Sequence, residues 1–230
     1  MDTPETTDDI SVKMRDYLVE IYRLSERAAH EGDYVSTSAL ADLLLVTPPA
    51  VNRMVNRLRD QGLIEHAPYQ GIKLTEAGKQ MARIRLRAHR IAEAFLVNVM
   101  DFGWEEVYQE AQRMSAGLTE MLLTRMDDMA GHPQFCPHGE PIPTAEGEIP
   151  ALDDQLLTEA PTGVSLTLTR VSTREIDRLH YLKALGLVPG ATLQVHHVAP
   201  FSGPMQLKLR DEYRIIGHNL AEQIKVKEGP

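Results

Sequence analysis

His89 and Glu93 stand four positions apart, so on a helix both side chains leave one face. An imidazole and a carboxylate at that spacing either begin a divalent-metal site or pair with each other, and spacing alone leaves both readings open. A second group lies upstream, where Pro49, Asn52, Arg53, Asn56 and Arg57 recur on one face of the segment that Thr47 opens. Asn and Arg can make paired hydrogen bonds to base edges, while Thr, Arg and Lys can grip phosphate. This is the chemistry of DNA contact, weighed against the plainer reading of a solvated helix face. Cys136 is the single cysteine, so no intramolecular disulfide can form and a reducing compartment is expected. His30, His66, His132, His180, His196, His197 and His218 show no ligand spacing, and the neighbours His196 and His197 would point to opposite faces of a strand. No second motif brings together a nucleophile, a base and an oxyanion hole, so an enzyme such as a metal-dependent hydrolase is not expected.

Elements must position these groups. Met14, Leu18, Ile21, Tyr22 and Leu24 lie on one helical stripe within residues 12–28. After a short GDYV segment, STSALADLLLV begins a second helix that Ser36, Thr37 or Ser38 can cap. Thr47 opens a third with Pro48 in its first turn, where a missing N–H costs little. Val51, Met54, Val55 and Leu58 face inward on it, and Gly62 stops it. LIEHAPYQGIKLTEAG reads as strand, turn at Tyr69-Gln70-Gly71, and strand; Thr75 then caps a long helix running to about Met100. That order is a winged helix-turn-helix. The DNA-contact set it predicts is Ser36, Ser38, Thr47, Pro49, Asn52, Arg53, Asn56 and Arg57, with Lys73 on the hairpin.

Residues 76–130 carry two long helical patterns. Their apolar set, Ile91, Phe95, Leu96, Val99, Val107, Leu118, Met121 and Leu122, exceeds what one helical hairpin needs. Met114, Met121, Met126 and Met129 suit an adaptable packing surface. A second copy would bury the excess, and a homodimer would present two recognition helices to palindromic double-stranded DNA. Proline and glycine dominate from His132 to Thr162, which predicts a linker with one fixed turn. VSLTLTRV, ATLQVHHV, MQLKLRD and YRIIGHN read as short strands around the helix IDRLHYLKALG, the pattern of a small five-stranded barrel.

A net charge of -9 argues against a polyanion partner only if the charge is evenly spread, and it is not. Residues 36–90 hold nine Lys/Arg against four Asp/Glu, whereas residues 101–160 hold thirteen Asp/Glu against two Lys/Arg. The basic stretch coincides with the helix-turn-helix pattern. At 230 residues, two or three small domains fit better than one. The acidic start MDTPETTDDI is unlike a signal peptide, and no 18-residue apolar stretch occurs, so a soluble cytoplasmic protein without a membrane partner is expected.

Taken in order, DYLVEIYRL, VTPPAVNRMVNRLRDQGLI, the wing YQGIKLTEAG, AHRIAEAFL, CPHGEPIP and LKALGLVPGATL resemble the diphtheria-toxin-repressor family of iron- and manganese-dependent transcription regulators. The resemblance spans essentially the whole chain, with CPHGEPIP its most specific motif. It implies an α+β protein with a winged helix-turn-helix over 1–75, a helical metal-binding and dimerisation domain over 76–143, a linker over 144–161 and an SH3-like β-barrel over 162–230. It further implies a metal-dependent repressor of metal-homeostasis genes, with Mn2+ expected as cofactor and Fe2+ as the alternative.

The resemblance also implies two metal sites. At the first, Asp16 fits the family's ligand from the opening helix, in the manner of the manganese-type branch. The remaining ligands should be a Glu/Cys-x-x-Glu-His set, but this chain has Gln112, Arg113, Met114, Ser115 and Ala116 there. Neutral amide and hydroxyl oxygens hold a divalent ion weakly, so this site is expected to be degenerate. At the second, His89 and Glu93 are joined by Cys136 and His138 of the Cys-Pro-His turn, with Glu175 aligned to an acidic ligand from the barrel. Arg178 stands where a further ligand is usual, and Tyr108 where one branch has histidine. The degenerate first site leaves a rival reading, a regulator of the same fold that has lost its metal response.

Overall fold

A computed structural model describes residues 10–27, 34–67 and 70–229. The early part of the GDYV segment, His30 and the wing-tip residue Tyr69 lie outside the described residues. The chain divides into two compact units: one runs to Arg87 and takes in Pro143–Ile149, and the other comprises Ala88–Ile142 with the residues from Pro150 onward.

The first unit contains α1 (Val12–Arg27), α2 (Thr37–Leu44), α3 (Pro48–Asp60), β1 (Ile64–Ala67), β2 (Gly71–Leu74) and the start of α4 (Glu76–Asn98). Ser36 caps α2, its hydroxyl accepting from the Ala39 amide at 3.3 Å. The helix closes at Leu45 in the left-handed region, φ 51°, which makes the sharp turn into α3. Thr47 precedes α3 without a side-chain cap, and Pro48 occupies the first turn. Val51, Met54, Val55 and Leu58 enter a core shared with Leu18, Ile21, Leu40 and Ile72. β1 and β2 pair antiparallel, with Glu65 opposite Lys73, and Val35 adds a backbone bridge to Ile72. Thr75 caps α4 by accepting from the Gly78 amide at 3.1 Å. The winged helix-turn-helix is present as expected.

The second unit holds the rest of α4, then α5 (Val107–Ser115) and α6 (Glu120–Ala130). The second long helical pattern is therefore two helices. Gly117 favours the unwound chain, and Thr119 accepts from the Leu122 amide to start α6 afresh. Ile91, Leu96 and Val107 are consumed by the chain's own core, whereas Met121, Leu122 and Met129 remain exposed.

The C-terminal part contains β3 (Gln155–Leu156), β4 (Leu166–Val171), α7 (Ile176–Ala184), β5 (Thr192–Val198), β6 (Met205–Leu209), β7 (Glu212–Ile216), α8 (His218–Ala221) and β8 (Ile224–Glu228). The strands form one six-stranded sheet in the order β3-β8-β4-β5-β6-β7. Its end strands do not pair with each other among the described residues, so the sheet is open where a closed five-stranded barrel was expected. β3 and β8, which match none of the four strand segments named from the sequence, pair antiparallel with each other through only two residues at one edge.

Candidate metal centre and nucleic-acid interface

The Cys136-Pro137-His138-Gly139 turn is the fixed point of the proline-rich segment. The Cys136 amide donates to the Glu140 carbonyl at 2.9 Å, and the Gly139 amide to the Cys136 carbonyl at 2.8 Å. Gly139 has φ +83°, and a Cβ there would sit 1.9 Å from the Thr169 carbonyl oxygen, so only glycine lets the turn lie against β4. The His138 carbonyl then accepts from the Val171 amide at 2.9 Å. On the other side, Arg90 donates to the Pro141 carbonyl at 2.6 Å, which fastens the turn to α4.

This arrangement delivers Cys136 and His138 to Glu93. One donor atom from each of the three lies within 4.8 Å of the other two, and all three side chains are buried. His138 Nδ1 is 3.2 Å from Glu93 Oε1, and His89 Nε2 is 3.4 Å from the same oxygen. Neither His138 nitrogen, nor Glu93 Oε1, has a hydrogen-bond partner with acceptable alignment. Trp104 packs edge-on against His138 with ring centroids 5.5 Å apart. Tyr108 does the same to His89 at 4.9 Å, and the Arg174 guanidinium lies 5.6 Å from the Tyr108 ring centre.

The electrostatics of this cluster conflict when it is left to itself. Burial pushes the Glu93 carboxyl up, and the facing imidazoles more than offset that, holding it well below the ordinary carboxylate range. Burial drives the His138 imidazole down, against the upward pull of Glu93. Burial likewise pushes the Cys136 thiol up, Glu93 adds to this, and Arg90 and Arg174 oppose it. Carboxylate, imidazole and a thiol that a bound cation would deprotonate are together a donor set that fits a divalent first-row ion.

The other predicted ligands have partners of their own. Asp16 Oδ1 accepts from Arg85 Nε and Nη2, both at 3.2 Å, in the first unit. Glu175 is exposed and pairs with Arg178 at 2.7 Å, outside the Glu93 group. Ser115 is buried, and its hydroxyl donates to the Gln112 carbonyl at 3.3 Å. Trp104, Arg90 and Arg174 were missed as neighbours of the cluster. Trp104, the sole tryptophan, was the one available signal.

In the first unit, Thr47, Pro49, Asn52, Arg53, Asn56 and Arg57 are all exposed along the outer face of α3 and its start. Ser36 and Ser38 are exposed at the start of α2, with their hydroxyls 2.6 Å apart, and Lys73 is half-buried on β2. A helix with one buried apolar face and one exposed Asn/Arg face, followed by a β-hairpin, is the arrangement with which helix-turn-helix proteins enter a major groove.

Fold and sites together define a winged-helix DNA-binding regulator with a candidate metal centre. Residues 9–72 match the iron dependent repressor N-terminal DNA binding domain, residues 75–144 the iron dependent repressor metal binding and dimerisation domain, and residues 155–228 the FeoA domain. The chain is 33% identical over 224 residues to the iron-dependent repressor IdeR of Mycobacterium tuberculosis, covering 92% of this chain and 95% of that one. It is 28% identical over 127 residues to the diphtheria toxin repressor of Corynebacterium glutamicum, covering 55% and 54% of the two chains. Among solved structures, a manganese-dependent transcriptional repressor in complex with manganese superposes with TM-score 0.84 at 29% identity, covering 94% of this chain and all of that one. IdeR of T. acidophilum gives TM-score 0.80 at 26% identity, covering 99% of this chain. The chain belongs to the iron-dependent repressor family, the family of the diphtheria toxin repressor. It is a metal-dependent DNA-binding repressor of transcription and not an enzyme. Among the described residues, no helix is long and apolar enough to cross a membrane.

Proposed function

We propose that Glu93, Cys136 and His138, with His89 alongside, hold a divalent metal, Mn2+ in the first place and Fe2+ in the second. This ion sets the affinity of a homodimer for palindromic operators of metal-homeostasis genes. One observation carries the reading: Glu93 and His138 face each other at 3.2 Å, fully buried and without an aligned hydrogen bond, beside a buried thiol. When bound, the ion supplies the positive charge that lets a carboxylate and a thiolate lie together out of water. Glu93 and His89 present their donors from α4, and Cys136 and His138 from the turn, so ligation joins two chain segments. This donor set leaves out Asp16, which pairs with Arg85, and Glu175, which pairs with Arg178.

On the DNA, Asn52, Arg53, Asn56 and Arg57 read or grip the major groove, Ser36, Ser38, Thr47 and Pro49 approach the backbone, and Lys73 adds charge from the wing. The exposed Met121, Leu122 and Met129 of α6 form part of the surface that the second copy covers. A hundredfold metal-induced rise in DNA affinity requires the ion to favour the DNA-competent form by about 2.7 kcal/mol. The test is Mn2+ titration of binding to an operator selected from a random-sequence pool. The native chain should respond and His138→Ala should not. A native chain that binds equally with and without every divalent ion overturns the reading.

A further inference from the structure

We propose that Glu105, Glu106 and His180 form a second divalent-cation site, open to solvent, that takes Zn2+ or Mn2+ independently of the Glu93 centre. One carboxylate oxygen from each glutamate and one ring nitrogen of His180 lie within 4.8 Å of one another. His180 Nε2 stands 3.8 Å from Glu106 Oε1. Donors about 2.0–2.2 Å from a shared ion are separated by at most about 4.4 Å, so side-chain rotation alone brings this set into range.

Glu105 makes the group more than a surface acid cluster. It is only 6% exposed, Lys183 Nζ donates to its Oε1, and its Oε2 is buried with no hydrogen-bond partner. Burial raises its pKa, but Lys183 outweighs that and holds the carboxyl below the usual range, so it is ionised at neutral pH. A buried, charged carboxylate with one unsatisfied oxygen gains from a cation that a single ammonium has not fully supplied. Glu106 and His180, about half exposed, stand at the mouth and leave coordination positions to water. Carboxylates and imidazole without a thiolate suit Zn2+ or Mn2+. Glu105 and Glu106 precede α5, whereas His180 lies on α7, so the ion would tie the helical part of this unit to its sheet part.

The test counts bound Zn2+ and Mn2+ per chain calorimetrically on full-length, chelator-stripped protein. In a Glu93→Gln/His138→Ala background, one ion per chain should remain. Adding Glu106→Gln/His180→Gln should weaken that binding by at least about tenfold. Should the buried substitutions unfold the protein, Glu106→Gln/His180→Gln in the otherwise native chain should lower the stoichiometry by one ion. Stoichiometry and affinity unchanged by that pair, or a folded background variant that binds no ion, overturns the proposal.

Discussion

His138 Nδ1 lies 3.2 Å from Glu93 Oε1, with both side chains withdrawn from solvent, yet the two are not aligned for a hydrogen bond. Two polar groups rarely spend burial on an unmade bond unless something else completes them. Glu93→Gln and His138→Ala should each lower Mn2+ affinity by at least about tenfold, and Cys136→Ser should shift the preference among Mn2+, Fe2+ and Zn2+. Isothermal titration on the folded variants decides this, and native-like affinity in both Glu93→Gln and His138→Ala removes the assignment.

The metal-free protein should lose stability as pH falls below about 6.5, the ordinary histidine value. Burial holds folded His138 below that value, so the unfolded chain takes up a proton that the folded chain refuses. Glu93, held below its ordinary 4.5, extends the loss further into the acid range for the same reason. Each such proton limits the slope to about 1.4 kcal/mol per pH unit. Denaturant melts of the native chain and His138→Gln between neutral and acid pH measure it. A native chain stabilised by acid contradicts the argument.

Arg53→Ala and Arg57→Ala should weaken DNA binding without changing thermal stability, because both side chains project outward from α3. A lost phosphate contact lowers affinity for every sequence and reduces the salt slope by about one, whereas a lost base contact relaxes specificity at one position. Titrations at several salt concentrations, on selected and scrambled DNA, separate these outcomes. A double variant that binds as tightly as the native chain would falsify the assignment of α3 as the recognition helix.

Gly139→Ala should cost roughly 2–4 kcal/mol and weaken metal binding together with stability. Its Cβ would meet the Thr169 carbonyl, which cannot yield without moving β4, and the positive φ adds strain. Gly131→Ala, also at positive φ but with open space around its Cβ, is the matched control and should cost less. Equal losses in the two variants would show that the close approach to β4 does not matter.

Met121→Glu/Leu122→Glu should shift the protein towards monomer in sedimentation at micromolar concentration. Met121 is 78% exposed, so charge there disturbs little within one chain. An unchanged sedimentation coefficient places the dimer contact elsewhere.

Local pattern was enough for much of this molecule. The apolar rhythm of Val51, Met54, Val55 and Leu58 defined both the buried and the DNA-facing sides of α3, because a helix repeats every 3.6 residues whatever it packs against. The four-residue step from His89 to Glu93 was equally legible, and so was one fixed turn within the proline- and glycine-rich stretch after His132, which the family resemblance placed at Cys-Pro-His. Spacing says nothing, however, about partners distant in the chain. Packing alone decided that Cys136 and His138 meet Glu93, and that Arg85 takes Asp16 from 69 residues away. The same holds for His180, which has no ligand spacing in sequence yet reaches Glu105 and Glu106 once α7 is placed. The open sheet and the break between α5 and α6 were hidden for a related reason. An edge pair of two residues and a cap at Thr119 leave almost no periodic trace, and their stability comes from neighbours that only the folded chain supplies.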